Sequence, residues 1–233
     1  MSFFRPFLWP PSLWLLPRQT SDPVEDLVAR NDGGPPLRTL IHVGAHLAQE
    51  RERYEALGYT DILWIEGSPK VYPRLVEALN THRSPTGCRH RAVCALLADR
   101  DGEELSLREC SNDGMSSSVF RLTDEAVRHW PGVTETGTSE RVPTRTLDSV
   151  AEEYGMMDTV DTLVVDVQGA ELLVLKGGAN VLKRVRGVIS EISLRRFYDG
   201  GVLFPELYAF LSERGFMPTA KPMWHGDLLF VPS

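Results

Sequence analysis

A chain of 233 residues with 42% apolar and 24% charged residues can bury one sizeable core, and with 19 Gly and 16 Pro it is not a low-complexity sequence. Its 25 Lys and Arg against 32 Asp and Glu leave a net charge of −7 with no basic cluster to attract a nucleic-acid backbone, and no run of about 18 apolar residues suits a membrane span. Cys88, Cys94 and Cys110 form no CxxC pair, which points to free thiols in a reducing, cytoplasmic setting rather than to a disulfide or a zinc site.

Residues 1–36 read as an arm. Phe3, Phe4, Phe7, Leu8, Trp9, Leu13, Trp14, Leu15 and Leu16 are interrupted by Pro6, Pro10, Pro11 and Pro17. Such a stretch neither spans a bilayer as a helix nor supplies the unbroken apolar segment of a secretory signal. Left open, this much aromatic surface would be sticky, so Trp9 and Trp14 are expected to be buried against the domain or against a second copy of the chain, which makes the arm a candidate homo-oligomer contact. A lid or acceptor-binding arm is the alternative. Asp32-Gly33-Gly34-Pro35-Pro36 then hands over to an α/β domain, residues 37–233.

From residue 37, β-branched runs alternate with amphipathic stretches, the pattern of repeated βα units and a mostly parallel sheet. The first strand is 37–43; the helix after Gly44-Ala45 carries Leu47, Arg51, Tyr54 and Leu57 and ends at Gly58. A second strand, 62–65, runs into Glu66, and the helix beyond Gly67-Ser68-Pro69 is bent or delayed by Pro73. Strands follow near 89–95 and 103–107. Residues 108–140 lack periodicity and read as a long active-site loop. Thr146 caps a helix over 147–154, 162–166 is a central strand, and a helical piece from Ala170 to about Lys176 resumes through Val185 after Gly177-Gly178. Strand 187–192, a helix from Phe204 to Gly215 and a last strand over 227–231 complete the chain.

Ligands of open α/β sheets bind beyond the carboxyl ends of the strands, so the polar residues there are the candidates. His42-Val43-Gly44-Ala45-His46 ends the first strand without the G-x-G-x-x-G of a dinucleotide site. Glu66 follows Gly44 at about the distance at which an acid reaches a ribose diol. Asp166 and Glu191 end what should be neighbouring strands, and burying two acids together is costly unless a cation, a hydrogen bond or a shared proton compensates. Glu171 is a weaker candidate, since a first-turn acid suits a helix N-terminus without any ligand. His225, just before the last strand, is a further candidate base.

These motifs, with Thr146-Leu147-Asp148 and above all the run Val165-Asp166-Val167-Gln168-Gly169-Ala170-Glu171-Leu172-Leu173-Val174-Leu175-Lys176-Gly177-Gly178 followed by Glu191, resemble the FkbM-type methyltransferases over about residues 38–232. The resemblance implies an α/β class I methyltransferase fold, Rossmann-like, with a seven-stranded, mostly parallel sheet, helices on both faces and an antiparallel last strand. It implies S-adenosyl-L-methionine as cofactor and O-methylation of a sugar, polyketide or similar small metabolite. Carried over, it sets Gly44 and Ala45 against the methionine part, Glu66 on the ribose, Ala92 and Val93 beside the adenine and Asp166 beside the transferred methyl, with His42, His46, Gly67, Ser68, Ser117 and Gln168 completing the cofactor contacts. The sequence departs from the family at His42, where an acid is common, at Ala48, where a second Gly is frequent, and at Gln168, where Glu is common. For the acceptor proton, Asp166, Glu191 or His225 could act as base, or Asp166 and Glu191 could hold a divalent metal ion; the residues leave these roles open, and a cofactor-binding scaffold without turnover is the competing function.

Overall fold

Alternating apolar residues give each central strand two buried faces, and the sheet they form divides the core in two. The computed structural model describes residues 10–233, so Trp9 and the rest of residues 1–9 lie outside the described residues, as does the side chain of Trp14. In chain order the strands are β1 (Thr39–Val43), β2 (Asp61–Glu66), β3 (Arg89–Cys94), β4 (Leu96–Leu97), β5 (Glu104–Cys110), β6 (Arg121–Leu122), β7 (Glu135–Arg145), β8 (Thr162–Val165), β9 (Gly187–Ser193), β10 (Tyr198–Asp199), β11 (Phe216–Pro218) and β12 (His225–Pro232). The helices are α1 (Pro23–Arg30), α2 (Arg51–Ala56), α3 (Tyr72–Thr81), α4 (Asp124–His129), α5 (Leu147–Glu153), α6 (Glu171–Lys176) and α7 (Phe204–Ser212), with short 3-10 turns at Pro11–Leu15 and Val181–Lys183.

The main sheet has the order β11-β12-β9-β8-β1-β2-β3. Strands β9, β8, β1, β2 and β3 run parallel, whereas β12 is antiparallel to both β9 and β11. Ile41, Val43, Leu63, Ile65, Leu163 and Val165 face the side covered by α5, α6 and α7, while Leu40, Ile62, Trp64, Val164 and Ile189 face α1, α2 and α3. Fully burying each such side chain is worth about 1.5–3 kcal/mol against leaving it in water. The strand order reverses between β1 and β8, and a crevice opens at that switch point. Gly44 makes the crevice reachable. It turns the chain at φ +86°, and a Cβ there would lie 1.7 Å from the Asp166 carbonyl oxygen, so only glycine lets the two strand ends approach.

Three expectations change. Residues 23–30 of the arm form α1, capped by Asp22 and seating Val24 and Leu27 in the core, because Pro23 at the first turn and Asp22 before it make a strong helix start. Residues 108–140 are not a structureless loop: β5 and β7 pair as a long antiparallel ladder, which β4 joins, and α4 and β6 lie between them. The helix after Gly44 starts only at Arg51, since His46 and Ala48 both have positive φ and cannot continue a helical turn. No helix among the described residues is long and apolar enough to cross a membrane.

Candidate active site

The cleft at the switch point encloses about 630 Å³, part of it open to solvent. Val43, Gly44 and His46 form its floor at the end of β1, Glu66 and Gly67 come from the end of β2, and Asp166, Val167, Gln168 and Ala170 from the turn after β8. Ala95, Leu96, Leu97, Leu107 and Val119 give an apolar wall, and Gly114, Met115, Ser117 and Ser118 close it from the segment between β5 and β6. A cleft of this size, with few polar groups set into apolar walls, suits a small cofactor.

Glu66 is fixed by the backbone: Oε2 accepts from His46 N–H at 2.8 Å and Oε1 from Ser68 N–H at 2.7 Å. Burial raises its pKa, and these amides work against that shift. A carboxylate offers about four lone-pair positions, so two remain for a diol in the cleft.

On the opposite wall stands Asp166, and with Glu171 and Glu191 behind it the three bring one oxygen each within 4.8 Å of one another. Burial, then repulsion from Asp227, raises Asp166 to about 7. Burial and the Asp166 charge push Glu191 well above the usual carboxylate range, and burial likewise raises Glu171. Glu171, 2% exposed, accepts the Gly169 and Val167 N–H groups and so pins the turn after β8. Gln168 Nε2 donates to Asp166 Oδ1 at 2.6 Å and reaches Glu191 Oε2 at 3.5 Å. The Tyr198 hydroxyl, 2.7 Å from Gln168 Oε1, fixes which end of that amide faces the acids. His225 Nε2 lies 3.3 Å from Glu191 Oε1, and burial lowers the imidazole pKa.

Several sequence candidates therefore meet and others do not. Gly44, His46, Glu66, Gly67, Ser117, Asp166 and Gln168 line the cleft together. Glu191 and His225 stand beside Asp166 but line a separate small cavity with Phe197 and Tyr198. Ser68 braces Glu66 from behind, and its Oγ accepts the Val71 N–H that opens α3. Ala92 and Val93 are absent from the cleft lining: they pair with Trp64 and Ile65 inside the sheet, and because β3 runs on to Cys94 the wall is built three residues later, by Ala95–Leu97. His42 and Ala45 face a neighbouring cavity instead, since His42 sits on the opposite face of β1 from Val43. The role of Tyr198 went unread, because it depends on an Arg121–Leu122 pairing far away in sequence.

A second cluster, Glu55, His82 and His90, also has metal-like spacing. It is closed by hydrogen bonds. Trp64 Nε1–H can only donate, and it meets His90 Nδ1 at 3.0 Å, so the His90 proton sits on Nε2 and is given to Glu55 Oε1 at 2.9 Å. Burial alone would raise Glu55, but Ser84, His82, His90 and Thr86 together hold it down at about 2.

A family model described as the methyltransferase FkbM domain matches residues 42–218. No curated protein sequence matches the chain. Among solved structures, an FkbM methyltransferase from Methylobacillus flagellatus superposes with a TM-score of 0.51 at 12% identity, over 95% of this chain and 50% of that one. A putative tRNA methyltransferase from Streptococcus pneumoniae gives 0.50 at 13% identity, over 92% and 71%. The chain thus spans about half the length of the first of these, and at such identities the likeness is one of fold.

Proposed function

The chain belongs to the FkbM methyltransferase family, and from that premise we propose that it binds S-adenosylmethionine in the cleft over β1, β2 and β8 and methylates a hydroxyl of a small molecule. One observation carries this reading: a braced carboxylate, Glu66, and a second carboxylate, Asp166, stand on opposite walls of one cleft at the switch point. The residues fit the cofactor. Glu66 keeps lone pairs for the ribose diol, Ala95–Leu97 with Leu107 give the adenine an apolar slot, and Gly44 leaves the β1 end open to the methionine part.

When bound, the sulfonium supplies an activated methyl group and a neutral thioether leaving group. With a methyl group so supplied, the chain's part would be to hold the acceptor oxygen in line with it and to take the hydroxyl proton. Asp166 takes it. Of Asp166, Glu191 and His225, only Asp166 lines both this cleft and the cavity beside it, and a carboxylate raised to about 7 is a base matched to neutral pH. Glu191 and Gln168 position Asp166, and the Gln168 amide occupies the place between Asp166 and Glu191 that a divalent ion would need. We therefore favour a carboxylate base over a metal, with catalysis resting largely on alignment of the acceptor.

Calorimetry with S-adenosylhomocysteine tests the reading. The wild type should bind it, and Glu66→Ala should lose about ten- to a hundred-fold in affinity, the 1.5–3 kcal/mol of charge-assisted hydrogen bonds. No binding by the wild type overturns the cofactor assignment, and equal binding by the variant removes Glu66 from the site.

A further inference from the structure

A second cavity of about 890 Å³, partly open to solvent, lies between α1, α2 and the sheet. It shares Gly44, His46, Met115 and Asp166 with the cofactor cleft, so the two are continuous beside the base. The small cavity at Glu191 and His225 shares no lining residue with that cleft. An acceptor must meet the methyl group in line, so the continuous cavity is where it enters.

The charges of this cavity are one-sided. Arg53 is its one cation, and Asp22 neutralises it at 2.7 Å. The carboxylates of Glu50 and Asp227 make no ion pair or hydrogen bond among the described residues, and Asp227 is exposed on β12. An independent feature also points to a ligand. His42 is only 6% exposed and lines the same cavity; Tyr54 engages its Nδ1 at 3.1 Å, and its Nε2 has no partner among the described residues. Burial lowers His42 to about 4, so it meets a ligand as a neutral imidazole.

We propose that this cavity receives the acceptor, and that the acceptor is a hydroxylated small molecule bearing an ammonium group, which Glu50 and Asp227 hold while His42 hydrogen-bonds a hydroxyl. The assignment rests on the methyl-transfer reading for its role and on the cavity's own charges for its chemistry. A neutral polyol satisfies His42 but leaves two carboxylates without a counter-charge, and an anion meets repulsion from Glu50 and Asp227.

Three probes with one tris(hydroxymethyl)methyl core test this on the full chain in phosphate buffer: the Tris cation, neutral pentaerythritol and anionic tris(hydroxymethyl)acetate. Affinities are measured by saturation-transfer NMR, with and without S-adenosylhomocysteine. Tris should bind about tenfold or more tightly than pentaerythritol, with no binding of the carboxylate. Glu50→Gln with Asp227→Asn should erase that preference while S-adenosylhomocysteine affinity stays unchanged. His42→Leu should weaken Tris binding and keep the preference. Equal binding of Tris and pentaerythritol, preference for the carboxylate, no binding of any probe, or a preference that survives in the double variant overturns the proposal; unchanged Tris affinity in His42→Leu removes that residue from it. Loss of S-adenosylhomocysteine binding alone would instead overturn the cofactor reading, because the probe series also runs without it.

Discussion

Gln168 stands at φ +56°, in a left-handed conformation that a non-glycine residue rarely adopts, and its amide lies between two carboxylates that repel each other. The neutral amide, where the family commonly has Glu, spares the turn a fourth acid and lets the Asp166 proton respond to pH near neutrality. The sign of that response is fixed. Asp166 is raised from 3.8 to about 7 in the folded protein, by burial first and Asp227 second, so the folded state holds the proton more tightly than the unfolded one. Its contribution to stability is fully present below about pH 4, is lost as pH rises to about 7 and is flat beyond. Asp166→Asn should therefore lessen the decline in stability between those limits, as read from urea unfolding across pH. The same substitution should lower methyl transfer by about two to four orders of magnitude while S-adenosylhomocysteine affinity changes much less. Wild-type turnover should rise with pH through about 7 and ignore chelator. An unchanged pH profile of stability in Asp166→Asn would show that the carboxylate titrates normally. That Glu66 and Asp166 stand at strand ends over one cleft was readable in the sequence, because a polar residue closing an apolar strand has few reasons to be there. The apolar wall of Ala95–Leu97 was not, since where β3 stops depends on how far Glu66 and Cys94 remain paired.

At the scale of elements, the parallel core was legible and the β5–β7 ladder was not. Residues 135–141 of β7 are mostly exposed on both faces, so no apolar alternation marks this part of the strand, and its pairing with β5 is what makes it one. The same dependence on distant partners hid the Glu55 cluster. Glu55 in α2, His82 at the end of α3, His90 in β3 and Trp64 in β2 are ordinary residues one by one, yet their hydrogen bonds join two helices to two strands behind the cofactor cleft. Glu55→Ala should leave the His82 ring, the His90 N–H and the Ser84 and Thr86 hydroxyls without their acceptor, at a cost of about 2–4 kcal/mol. Because Glu55 is held at about 2, its contribution is present above pH 4.5 and falls away as pH drops toward about 2, so the wild type and the variant should converge in stability under acid. A constant gap across pH would mean that lost packing, not the charge, sets the cost. Added zinc should leave the melting temperature unchanged, since the tautomer set by Trp64 gives His90 Nε2 a proton in place of a free lone pair.

For the molecule as a whole, the N-terminal segment decides whether the sheet is closed on both faces. The sequence suggested an arm because its prolines break any regular pattern, and a pattern search cannot say where an irregular chain lies down. Within the described residues it lies on the domain. Leu13, 2% exposed, enters the same core cluster as Ile41, Leu163 and Phe230, the Pro17 carbonyl accepts the Lys221 N–H at 2.9 Å, and α1 then crosses to the other face, where a Cβ on Gly187 would lie 2.6 Å from Leu27. One short stretch thus binds both faces of the sheet and supplies Asp22 and Val24 to the rim of the cavity between α1, α2 and the sheet. Leu13 is the point at which this can be tested without touching the site. Leu13→Ala removes a buried side chain at a typical cost of about 2–5 kcal/mol. In a domain of this size each kcal/mol lowers Tm by about 2–4 °C, so a loss of roughly 4 °C at the least is expected in a melting scan. Leu15, 86% exposed two residues on, is the matched control, and Leu15→Ala should leave Tm within about 1 °C. Equal melting of the two variants would mean that the segment does not hold its place in solution, and the rim it lends to that cavity would fall with it.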